Sequence, residues 1–120
     1  MSYSGLYSGL YVRLRDYAQL MDDVLIGLKT GNSGPNDARR KELADLLLGK
    51  PSTTTSSLSA QILQISLQTQ ASVDRRQLDE VGKALLAPEP GPALIAKLEM
   101  LASALEQERA GIVAKMRGHT

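Results

Sequence analysis

The side chains that could do chemistry in this chain are few, and their spacing is unhelpful to catalysis. There is one histidine, His119, beside the C-terminus, and there is no cysteine. Zinc needs several nitrogen or sulfur ligands, and one histidine does not supply them. A carboxylate metal site inside a helical bundle needs inward-facing acids with a Glu-x-x-His element, and the sequence has none. Asp22-Asp23 and the Glu106/Glu108 pair fall off the apolar stripes and read as solvated faces. The Gly31-Asn-Ser-Gly-Pro35 segment lacks the lysine and the strand–helix setting of a phosphate loop. Serines are plentiful, but they come with neither a nucleophile elbow nor a histidine base to activate them. The expectation is a protein without catalytic, metal-binding or cofactor-binding residues, and not an enzyme.

Two basic clusters, Arg39-Arg40-Lys41 and Arg75-Arg76, could instead meet phosphates. Proteins that bind duplexes usually carry a basic surplus on one face. Here 14 basic residues stand against 13 acidic ones, and Asp37, Glu42, Asp74 and Asp79 dilute both clusters. The linker between the second and third predicted helices is also longer than the turn of a helix-turn-helix reader. Nucleic acid is therefore a disfavoured partner.

The elements that must carry any site are helices. Tyr3, Tyr7, Leu10, Leu14, Tyr17, Met21, Val24 and Leu28 alternate four and three apart, which is a heptad stripe, with Leu6, Tyr11, Ala18 and Leu25 widening it. This predicts a helix over about 4–28. The repeated Tyr-Ser-Gly-Leu, which matches a loose sorting pattern, is in phase with that helix and reads as structure. Gly5 and Gly9 lower helix propensity by about 1 kcal/mol each and could admit a close backbone. Asn36 or Ser33 is the expected cap of a short helix over 36–48, which Gly49 and Pro51 stop. After a Ser/Thr linker with Ser56 or Ser57 as cap, Leu63, Leu67, Ala71, Leu78, Val81 and Leu85 share one stripe that Asp74 interrupts. That pattern favours one long helix over 57–86, with a break near Ser72 as the alternative. Pro92 opens a last helix over 92–117, striped by Leu94, Leu98, Leu101, Leu105 and Ile112. The fold class expected is all-α: an antiparallel helical bundle of three long helices plus one short one, forming a single domain over 1–120.

Apart from the four N-terminal tyrosines the core is aliphatic, since there is no Phe or Trp. The longest apolar runs are far short of the ~20 residues that span a bilayer, and no secretory signal is apparent. Membrane partners are not expected, and the expected location is cytoplasmic. The most distinctive stretch is 51–73, which contains no Asp, Glu, Lys or Arg although 22% of the chain is charged. Exposed helix faces usually carry charge, whereas interface centres are depleted in it. A tyrosine ridge likewise suits a surface that is half wet and half covered. The residues assigned to partner binding are Tyr3, Tyr7, Tyr11, Leu58, Gln61, Ile62, Ile65 and Gln68. The function expected is protein–protein association by a non-enzymatic module that forms a homodimer. In size and amphipathic helices the chain resembles, at the level of class, small helical export chaperones and adaptors of bacterial secretion or flagellar systems. A structural subunit of a helical assembly is the alternative, and a helical nucleic-acid-binding regulator the third.

Overall fold

A computed structural model describes residues 3–32, 34, 36–50, 56–88 and 91–118, with side chains from residue 9 to residue 117 within those ranges. Among them are five helices and no strand: α1 (Tyr3–Thr30), α2 (Ala38–Leu48), α3 (Ser57–Ala71), α4 (Arg75–Leu86) and α5 (Pro92–Gly118). The all-helical expectation holds, but the count of three long helices plus one short does not. Two helices are long, at 28 and 27 residues, and three are short.

The difference lies at Ser72. The helix expected over 57–86 is two, because Ser72 turns into the left-handed region (φ 55°, ψ 34°) and Asp74 begins a new helix. Asp74 is therefore not an interruption in a stripe but an N-cap. Its carboxylate accepts from the Gln77 N–H at 2.8 Å, and the Gln77 side chain accepts from the Asp74 N–H at 2.9 Å. This reciprocal capping box satisfies two donors that a helix start otherwise leaves bare. Asp37, rather than Asn36, caps α2 by accepting from the Arg39 N–H at 2.8 Å. Ser33 lies outside the described residues, as does linker 51–55. Ser56 caps α3, and Gly49 ends α2 at φ 72°, a left-handed position that suits glycine.

Among the described side chains, the heptad stripes form the buried faces. Leu14, Tyr17, Met21 and Val24 of α1 meet Leu94, Leu98, Leu101 and Leu105 of α5 in one core with Leu43, Leu47, Leu63, Leu67, Leu78 and Leu85. α1 packs chiefly along α5 and α2 along α4, while α3 lies against α5 and α2. Both pairs run in opposite directions. Lys29 pairs with Glu99 at 3.2 Å and Tyr11 with Arg109 further along, so α1 and α5 are antiparallel. The 28 residues of α1 give about 42 Å of helix, most of the 48 Å long axis.

Gly82 sets the distance between α2 and α4. A Cβ there would stand 2.6 Å from Leu48 Cγ, so only glycine permits this approach. Gly9 has no such role. Among the described residues nothing lies within 4 Å of the Cβ it lacks, and the close backbone expected there is not found among them; Gly5 lies outside the described side chains.

Candidate interaction surface

The two basic clusters are partly spent on the fold. Arg40 falls in phase with Leu43 and Leu47 on the inner side of α2 and is 1% exposed. Its Nε and an Nη donate to the Leu85 carbonyl at 3.1 and 2.8 Å, and that Nη also reaches the Ala87 carbonyl at 2.7 Å. These carbonyls close the C-terminus of α4, where a cation is favoured by the helix dipole. Arg75, in the first turn of α4, does the same for α2 and donates to the Leu48 carbonyl at 2.6 Å. It also pairs with Asp79 at 3.0 Å. Gln64 of α3 adds a donor at 3.0 Å to the Leu46 carbonyl. α2 and α4 thus cap each other's C-termini through arginines, and α3 is tied to the same end.

The tyrosines are divided. Tyr3 and Tyr7 lie in α1, but their side chains are outside the described residues. Tyr17 is core, with its hydroxyl donating to the Ser59 carbonyl at 3.0 Å. Tyr11 is half-buried beneath Arg109, whose guanidinium carbon lies 5.4 Å from the ring centre. Arg109 also donates to the Tyr11 hydroxyl at 3.4 Å and pairs with Glu106. The Tyr11 contact, foremost, and the Glu106 carboxylate raise the Arg109 pKa further above its ordinary value, against the opposing effect of burial. Beside Tyr11, Val113, Met116 and Arg117 bound an apolar cleft of about 280 Å³.

The residues assigned on the uncharged stretch mostly come together. Ala60, Leu63, Ser66 and Leu67 form the buried side of α3. Leu58, Gln61, Ile65 and Gln68, spaced three and four apart, lie exposed along the outer side. Leu58 is 57% exposed and Ile65 62%. Ile62 sits at the margin, half-buried against the core. Ser59 hydrogen-bonds to α1 through Arg13 at 3.2 Å, and Gln70 bonds to Glu108 of α5. These contacts fasten both ends of α3 and hold its outer face steady.

Sequence reasoning missed a polar groove of about 420 Å³ between α1, α2 and the start of α3. Arg13, Asp16 and Asp23 line one wall, Arg39 and Glu42 the other, above Leu20 and Leu46. Its charges are mixed in sign and come from separate helices, so no local pattern announces it. Among the described residues no group of three or more His, Cys, Asp or Glu side chains could hold a metal ion, and no helix is long and apolar enough to cross a membrane. His119 lies outside the described residues. The chain matches no known family model, and neither a curated protein nor a solved structure is significantly similar to it.

Proposed function

We propose that this is a non-enzymatic protein–protein interaction module, of the small helical adaptor or export-chaperone kind, that associates through the outer face of α3. The observation that carries the reading is the pairing of Leu58 and Ile65, both more than half exposed, on a face without a charged side chain. Uncharged amides and aliphatic groups can be desolvated at moderate cost, whereas unpaired charges cannot. Such a face also tolerates its own copy, because a two-fold axis brings no like charges together. A homodimer through α3 is the form we assign, in a cytoplasmic setting.

The face is small. A 15-residue helix is about 22 Å long, and a stable interface buries about 800 Å² per partner. A face of this size supports weak self-association in the micromolar range or above, which suits a component that exchanges partners. Sedimentation equilibrium of the wild type and of Ile65→Lys from roughly 1 to 500 µM tests this. The dissociation constant is expected to rise at least about tenfold with the charge. A wild type that stays monomeric, or a dimer indifferent to Ile65→Lys, rejects the α3 interface. Open-ended growth in light scattering would favour the structural-subunit reading instead. A nucleic-acid regulator is weakened as a reading, since Arg40 and Arg75 are aimed at helix carbonyls; salt-sensitive DNA binding would restore it.

A further inference from the structure

Ser72 is the one non-glycine residue with positive φ among the described residues. Left-handed backbone is costly for a residue with a Cβ, and such strain persists only where the surroundings impose it. Only Ser72, Val73 and Asp74 separate α3 from α4. Yet Leu63, Leu67 and Ala71 on one side, and Leu78, Val81 and Leu85 on the other, keep one unbroken phase. The sequence is therefore written for a straight helix over 57–86 as well as for the corner that forms.

We propose that two copies exchange halves about this corner. Residues 57–86 straighten into one helix, and α1–α3 of one copy pack on α4–α5 of the other. The contact pattern permits the exchange. The main packing partners, α1 with α5, α2 with α4 and α3 with α5, all lie on opposite sides of Ser72. Each of these contacts re-forms between chains, including the arginine caps from Arg40 and Arg75. Contacts within each half, such as α2 with α3, are untouched. What is given up is small: the slight α3–α4 contact, the burial of Val73 and the Asp74–Gln77 capping box. What is gained is relief of the left-handed Ser72 and continuous helical hydrogen bonding across three residues. The straight helix is about 45 Å long, close to the 48 Å length of the molecule. Mass action keeps the closed monomer in dilute solution, and the strained corner lets the exchanged dimer form when chains fold at high concentration.

This dimer differs from one joined at the outer face of α3. Face-to-face association leaves each chain's own α1–α5 pair intact, whereas exchange makes that pair from two chains. Because the chain has no cysteine, Lys29→Cys with Glu99→Cys provides a unique pair where α1 meets α5. The full chain carrying this pair is refolded at about 1 mM, joined with a short bis-maleimide, and separated on a denaturing gel. Exchanged dimers give a covalent two-chain band; face-joined dimers give only one-chain loops.

Two corner variants complete the test. Ser72→Gly removes the left-handed cost, about fivefold per chain at the low end of its range. With two corners per dimer, the dissociation constant is expected to rise on the order of twenty-five-fold. Asp74→Ala removes the N-cap, also about fivefold per chain, and is expected to tighten the dimer by a similar factor. Two-chain links that increase with Asp74→Ala and fade with Ser72→Gly support the exchange. One-chain links throughout, or equal yields of two-chain links from Ser72→Gly and the wild type, overturn it. The glycine comparison decides the matter even if Asp74→Ala does not fold.

Discussion

Replacing Arg40 by methionine asks how much the mutual capping of α2 and α4 contributes. Methionine keeps an unbranched apolar stem but removes the guanidinium, and with it three contacts of 2.7–3.1 Å to two carbonyls. A hydrogen bond from a charged donor contributes about 1.5–3 kcal/mol, and a cation at a helix C-terminus up to about 2 kcal/mol. Against these stands the cost of holding a guanidinium that is 1% exposed, which its removal relieves. The acceptors decide the sign. Leu85 and Ala87 keep their carbonyls in place after the substitution, and an acceptor stripped of its donor away from water is expensive. A net loss of about 2–4 kcal/mol follows. For 120 residues the unfolding entropy is about 0.25 kcal/mol/K, so the midpoint falls by about 8–16 °C. Urea and thermal unfolding should agree, and Arg39→Met, on the exposed side of the same turn, should change stability by less than about 0.5 kcal/mol. An Arg40→Met variant as stable as the wild type, or more stable, would refute the reasoning by showing that desolvation outweighs the caps.

Gly82→Ala sets a helix-propensity gain of about 1 kcal/mol against a Cβ placed 2.6 Å from Leu48 Cγ. Overpacking costs about 1–3 kcal/mol, so chemical denaturation should show a net loss where propensity alone predicts a gain. Leu63→Ala opens a cavity at a side chain with no exposure and should cost about 2–5 kcal/mol in the same experiment. Tyr17→Phe removes the hydroxyl that reaches the Ser59 carbonyl at 3.0 Å. A loss of about 1 kcal/mol is expected, with earlier amide exchange at the start of α3.

The long helices were legible because a period of three and four residues, held over seven turns, has no other physical use. Leu14, Met21, Leu98 and Leu105 are buried where that period puts them. The same signal misled at Ser72, where the stripe keeps its phase across a corner and phase alone cannot report a turn. The information was local: Asp74 and Gln77 stand three apart, as a capping box requires. Arg40 carried a comparable hint, since it occupies the position where Leu43 and Leu47 predict a buried residue. A run of basic residues conceals that its members point in different directions around a helix. The absence of charge on α3 was visible in the sequence, and the Leu63 and Leu67 stripe already implied that Leu58, Gln61, Ile65 and Gln68 would share the other side; what the period did not settle was Ile62, which sits at the margin between the two. The groove holding Asp23 and Arg39 depends on how far apart two helices settle, which no single helix records.

The crossed arginines of α2 and α4 have a mechanical consequence. Each guanidinium grips the far end of the neighbouring rod, so a slip of one turn, 5.4 Å, in either direction would pull both from their seats together. Leucine-lined rods tolerate such slippage because one leucine is much like the next. Here two bolts at opposite ends admit a single alignment, and the pair can part but cannot creep.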